Sequence, residues 1–221
     1  MIPYDTYASA ICDDSLITPS TEIEIQSSIS DVVFEAFSPL KDDVENYDDY
    51  DMDLFAFFVD ETGKVPSDDY AVFYGNQYLY ESPERNPGKE FFIDKRGIWG
   101  FGYDSGAYYL HLNIIPKDIC RIVFVWSLYD APSKAQDFAQ CQYTRVRLGN
   151  CGFQKVEDTS RSEIEKLTTI AQWEVSKPLN HIFVINLAEL KRTKTGWTIC
   201  FNNKPLTCKI EDVCKEFGMS V

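Results

Sequence analysis

From Glu22 to Phe201 the chain is a succession of short strand-like runs broken by turn residues, and this limits its fold more than any other feature. TEIEIQ (21–26) and VVFEAF (32–37) alternate apolar and polar positions with the period of two that a half-buried strand requires. LFAFFVD (54–60) and AVFY (71–74) are compact aromatic runs bounded by turn residues. YYLHLNII (108–115) alternates and stops at Pro116. RIVFVWSL (121–128) is the most apolar run and predicts a central strand covered on both faces. QCQYTRVRL (140–148), IAQWEV (170–175), HIFVINLAEL (181–190) and GWTICF (196–201) complete the series. Roughly nine strands separated by Pro, Gly and Asn turns specify an all-β fold, an antiparallel two-sheet β-sandwich.

Helical signals are short. Ser133–Gln140 and Ser160–Lys166 suit one or two turns each. Ile210–Phe217 places Val213, Cys214 and Phe217 on one face, and Gly218 then ends a C-terminal helix. Residues 1–20 mix Pro, Ser, Thr and Asp without a period and read as an N-terminal arm or strap. Residues 21–221 contain no linker and no internal repeat, so they read as a single domain.

Charge sets the next limits. Of 35 acids and 21 bases in the 221 residues, 22 acids and 6 bases lie in residues 1–100, a net of −16. The remaining 13 acids and 15 bases leave residues 101–221 at +2. A chain of net charge −14 lacks the basic footprint that neutralises phosphates, which argues against nucleic-acid binding and unaided adhesion to anionic membranes. A content of 44% hydrophobic residues excludes disorder for most of the chain. No run approaches the ~20 apolar residues of a membrane helix, and MIPYDTYASAICDDSL lacks the basic start and apolar core of a signal peptide. The seven cysteines are odd in number and include no C-x-x-C pair, as expected for reduced thiols in the cytoplasm. His111 and His181 stand at no zinc-ligand spacing from them.

Two segments carry chemistry. In DDVENYDDYDMDLFAFFVD (42–60) seven acids from Asp42 to Asp53 occur without an intervening base. Carboxylates this dense repel unless solvent or a cation screens them, so the segment is either a solvated acidic loop or a calcium site. Asp51 and Asp53 lie two apart at the start of a strand and could share one ion. The spacing is not that of an EF-hand. In FFIDKRGIWGFGYDSGAYYLHL (91–112), Gly97, Gly100, Gly102 and Gly106 form a loop flanked by Asp94 and Asp104. Trp99, Phe101 and Tyr103 alternate with the glycines as an aromatic flap, able to contact a partner or to fold back on its own sheet. No G-x-S-x-G, HExxH or nucleotide-loop motif occurs, His111 reads as a satisfied core or rim residue, and no enzymatic activity is expected.

Taken in order, these segments resemble the TerD family of tellurite-resistance and stress-response proteins. DYDMDLFAFFVDETGKV (49–65) is similar to its D-x-D segment, and SDDYAVFYGNQ (67–77) with Ser82-Pro83 to its D-x-V-F-Y run. PKDICRIVFVWSLYDAPSKAQDFAQCQYTRVRLGN (116–150) matches its central I-V-F…D-A…Q-x-F…R-[LV] series. AELKRTKTGWTICF (188–201) and IEDVCKEFGM (210–219) resemble its closing signals, so the resemblance spans about residues 27–219. It implies a cytoplasmic, non-enzymatic, Ca²⁺-binding β-sandwich, acting in stress and tellurium resistance with protein partners that include other Ter-type proteins. It implies calcium ligands at Asp51 and Asp53 and, from the glycine loop, at Asp94 and Asp104. That loop departs from the family pattern: Lys95 replaces an Asn, and Trp99, Phe101, Tyr103 and Ser105 stand where acids are expected. Phe37-Ser38 replace an early W-D. Two functions follow. One is ion-linked partner assembly. The other is a metal-free acidic adaptor or neutralising protein, docking a basic partner through its acidic half with Trp99, Phe101 and Tyr103 as anchors.

Overall fold

The computed structural model describes residues 22–45, 50–76, 78–79, 93–94, 105–151, 167–176 and 178–221. Twelve strands among them form two antiparallel six-stranded sheets. In chain order they are β1 (Glu22–Ile25), β2 (Asp31–Phe37), β3 (Met52–Val59), β4 (Ala71–Val72), β5 (Tyr78–Leu79) and β6 (Ile93–Asp94). They continue as β7 (Ser105–His111), β8 (Arg121–Leu128), β9 (Arg145–Asn150), β10 (Thr168–Glu174), β11 (Val184–Arg192) and β12 (Trp197–Leu206). The first sheet runs β1-β12-β11-β8-β3-β4 and the second β10-β9-β2-β7-β6-β5. This is the two-sheet sandwich that the strand runs imply.

The two kinds of strand pattern have a common cause. β9 alternates: Val146 and Leu148 enter the core, while Arg145 and Arg147 stay half-buried outside it. Arg147 sits opposite Glu35 in register, and its Nε donates to the Glu35 carboxylate at 2.9 Å. β3 is buried at every position because both faces are covered. Met52, Leu54, Ala56 and Phe58 face the second sheet, where Phe34 stacks on Phe124 with ring centroids 3.7 Å apart. Phe55, Phe57 and Val59 face outward into a second cluster with Val123 and Val125 of β8.

That outer face is roofed by the one α-helix among the described residues, α1 (Ile210–Glu216). Its own Val213 and Cys214 are buried against that face, and Phe217 stacks on Phe57 at 4.5 Å. Glu211 and Asp212 in its first turn and Lys215 in its last suit the helix dipole. Gly218 at φ +88° reverses the chain so that Met219 N donates to the Cys214 carbonyl at 3.0 Å.

Three boundaries differ from the sequence reading. The 108–115 run leaves the sheet at His111, and Leu112–Ile114 form a 3₁₀ turn that still buries Leu112. The 140–148 run enters the sheet only at Arg145, because Phe138–Gln140 form a 3₁₀ turn capped by Asp137, whose side chain accepts from Ala139 N. Gly106 belongs to β7, where it is buried, and not to a loop. A Cβ there would lie 3.0 Å from Leu54 Cβ and 3.1 Å from the Trp126 ring, so the close approach of the sheets requires glycine. The readings placed on 1–20 and on Ser160–Lys166 lie outside the described residues.

Six cysteines are described, none of them joined in a disulfide among the described residues, and three are buried. His111 is a rim residue with a partner: its Nδ1 lies 2.5 Å from Asp31 Oδ1, which Tyr109 also approaches at 3.2 Å. Among the described residues, no helix is long and apolar enough to cross a membrane.

Candidate ion and partner site

Asp51 and Asp53 lie where the chain enters β3, at one end of the first sheet. Strand register places Asp53 opposite Ser127, and Asp51 is held by its carbonyl, which accepts from Tyr129 N at 2.8 Å. The two acids differ in environment. Asp51 is exposed, whereas Asp53 is 8% exposed and lies on the outer face with Phe55 and Phe57. Beneath them Tyr108 is fully buried, and its hydroxyl ties β7 to the carbonyls of Leu54 and Val72 in the first sheet. Burial pushes that phenol well above its ordinary range, and the negative charge of Asp53 adds to the effect.

Two exposed aromatics that the sequence reading did not single out flank this acidic pair. Tyr74 is 53% and Tyr129 49% exposed. Partial burial is the main cause raising the Tyr74 phenol, followed by Asp53, Tyr129 and Asp51. Tyr74 sits at the tip of a tight turn, where Phe73 and Asn76 exchange backbone hydrogen bonds of 2.9 and 3.1 Å. The Tyr-Gly-Asn sequence carried that turn signal. Tyr129 immediately precedes Asp130, a positive-φ residue at the start of the next turn. Lys134 Nζ lies 5.9 Å from the Tyr129 ring centroid.

The other ligand candidates are placed differently. Asp94 ends β6, with its backbone opposite Tyr109. Three residues separate Tyr109 from Gly106, which packs on Leu54, so the Asp94 backbone lies about 10 Å along β7 from that level. Asp104, Trp99, Phe101 and Tyr103 lie outside the described residues. Among the described residues no three His, Cys, Asp or Glu side chains gather as a metal-ligand set. The donors that are described, two carboxylates where the chain enters β3, suit calcium in kind, since it takes hard oxygen ligands. They are two of the roughly six to eight it takes, and the rest would come from water or from segments outside those described.

Other acids have structural work. Asp60 Oδ1 accepts from Thr62 N at 2.8 Å and from the Thr62 hydroxyl at 2.6 Å, which holds the turn after β3. That hydroxyl is the main cause keeping the Asp60 carboxyl below its ordinary value. Ser38, which the resemblance sets at an early family acid, is wholly buried. Its Oγ accepts from Trp126 Nε1 and donates to Thr144 Oγ1, both at 2.9 Å.

The family model described as TerD domain matches residues 35–217. The tellurium resistance protein TerD of Serratia marcescens is 24% identical over 172 residues, covering 78% of this chain and 80% of that protein. General stress protein 16U of Bacillus subtilis is 29% identical over 116 residues, 49% of this chain and 54% of that protein. In fold the chain is similar to a crystallised protein of unknown function, SAV2460, at TM-score 0.57 and 15% identity. That likeness covers 87% of this chain and 99% of the other. It is also similar to a homologue of the telluride resistance protein TerD from Streptomyces coelicolor A3(2), at TM-score 0.51 and 14% identity over 82% and 91% of the two chains. With most of its length matched by the family model and the two-sheet sandwich in place, the chain belongs to the TerD domain family.

Proposed function

We propose that the protein acts in stress response of the tellurium-resistance type, as a non-enzymatic cytoplasmic module whose calcium binding is linked to assembly with protein partners. The relatives' names support the stress role. The observation that carries the ion reading is the Asp51/Asp53 pair where the chain enters β3, one acid in solvent and one nearly buried. Asp51 and Asp53 would hold the ion, with Asp94 and Asp104 as further ligands. When bound, calcium would neutralise the acidic end of the sandwich and order the segments that reach it. Titration calorimetry and thermal melting with Ca²⁺ test the reading. Wild type is expected to bind and to melt higher, and Asp51→Ala/Asp53→Ala to do neither. An absence of both heat and thermal shift for wild type at millimolar calcium defeats it.

A second reading rests on Tyr74 and Tyr129. Exposed aromatics beside carboxylates suit the stem and charge of Lys or Arg side chains, so this end would dock a basic protein without metal. Wild type should then bind an oligolysine peptide in the presence of chelator, with affinity that falls as salt rises. Tyr74→Ala/Tyr129→Ala should weaken that binding about tenfold, a loss of about 1.4 kcal/mol. Equal binding by the variant removes the tyrosines from this role.

A further inference from the structure

A concavity lies beside the acidic pair and is lined by other residues. Main-chain bonds bring residues 39–42 against the 138–142 segment. Lys41 N donates to the Gln140 carbonyl at 3.0 Å, Gln142 N to the Pro39 carbonyl at 2.7 Å, and Leu40 bridges to Cys141. Between the segment that follows Lys41 and the turns preceding Gln140 there is a cavity of about 500 Å³. This volume is within the range of small-molecule sites, roughly 300–1,000 Å³.

Its lining is polar both inside and at the rim. Tyr50 and Gln136 contribute buried surface, at 3% and 6% exposure. The Tyr50 phenol is raised chiefly by burial, and a hydrogen bond with the Gln140 side chain partly opposes that rise. The rim carries charges of both signs, Lys41 and Lys134 against Asp43 and Glu45, all exposed. Lys41, Asp43 and Glu45 come from the strongly acidic half of the chain and Lys134 from the half of net +2.

Such a lining offers charges of both signs to one ligand. A simple anion would meet Asp43 and Glu45, and a simple cation would meet Lys41 and Lys134. A molecule carrying a carboxylate and an ammonium close together satisfies both pairs, and the phenol and amides supply neutral donors and acceptors to its remaining polar atoms. We propose that this cavity binds a small zwitterion of the free α-amino acid class. The site is independent of calcium, although Tyr50 directly precedes Asp51 in the chain and so places it next to the proposed ion site.

The test is thermal shift and titration calorimetry on the full chain in excess chelator. The probes are a panel of free α-amino acids, with acetate and methylammonium as single-charge controls. At least one amino acid is expected to raise the melting temperature and give a saturable isotherm, while neither control does so at the same concentration. Lys41→Ala and Asp43→Ala alter exposed side chains, so they should melt like wild type without ligand yet bind the amino acid at least tenfold more weakly. The proposal is overturned if no amino acid binds at millimolar concentration, if the controls bind as well, or if both variants keep wild-type affinity. Because chelator is present throughout, failure here leaves the calcium reading untouched.

Discussion

A chain ending at Lys209 is expected to lose its cooperative thermal transition and to bind a hydrophobic dye at temperatures where the full chain does not. α1 and the residues after it are a large part of the cover of the outer cluster, beside Val65, Ala71 and Phe73. Removing them uncovers Phe57, Val123 and Val125, each at most 1% exposed in the intact fold, and Phe55 and Val59 beside them. Fully burying one such side chain contributes about 1.5–3 kcal/mol. Several lost together approach the entire net stability of a domain, about 5–15 kcal/mol. Backbone ties go as well: Val65 N donates to the Phe217 carbonyl at 3.0 Å, and the Lys64 ammonium reaches the Glu216 carbonyl. Phe217→Ala separates packing from simple truncation. It removes the ring stacked on Phe57 and should lower the urea midpoint while keeping a single transition. A truncated chain that melts cooperatively at the wild-type temperature would show that the outer face needs no cover.

The truncation argument depends on a distinction the sequence carries openly. β3 from Leu54 to Val59 and β8 from Ile122 to Trp126 read as unbroken apolar runs and are covered on both faces, while β9, with one face partly open, alternates. β8 lies between β11 and β3, the central place its composition implied. The C-terminal helix was equally legible from three apolar residues on one face followed by glycine. Turn chemistry misled where apolar residues continue past a strand's end. Leu112 is buried, but in a 3₁₀ turn, and period alone does not separate that from strand. Two-residue strands such as β5 and β6 are too short to leave any period. Gly106 looked like one more glycine of a flexible loop because its true reason, the Leu54 and Trp126 side chains 3.0–3.1 Å from where a Cβ would lie, is a contact across sheets.

The candidate site was legible in kind and not in arrangement. Spacing put Asp51 and Asp53 two apart at a strand start, but their unequal burial is set by the fold around β3, where Ser127 of β8 lies opposite Asp53. The Tyr74 and Tyr129 flank is similar: each ends an apolar run, and only the fold brings both to the same pair of acids. Departures from the family pattern were visible as missing acids. What stands in their place was visible only in three dimensions, and Ser38 is the case that can be measured.

Trp126→Ala is expected to cost about 3–5 kcal/mol, the usual range for emptying a large aromatic site in a packed core. Trp126 is wholly buried between the sheets, next to Gly106, in the strand that carries Ser127 opposite Asp53. Its indole N–H has one partner, Ser38 Oγ, and both groups are shut off from water. Ser38→Ala should therefore cost about 1–3 kcal/mol, because it leaves a buried donor unsatisfied rather than merely removing a hydroxyl. The two losses share one interaction, so they should not add. In the Trp126→Ala background the indole donor is gone, and Ser38→Ala should cost less by about 0.5 kcal/mol or more. Urea denaturation of the two single variants and the double variant measures this coupling. Strict additivity would mean that the Trp126–Ser38 bond contributes nothing and that Ser38 is held only by Thr144. A measured coupling would mean that Ser38, which the resemblance sets at an early family acid, serves the core through its hydrogen bond with Trp126. Ser38→Asp distinguishes the two uses of the position directly. It would bury a carboxylate against the Trp126 donor, and it should destabilise the fold without calcium and recover stability with it only if an ion lies within reach.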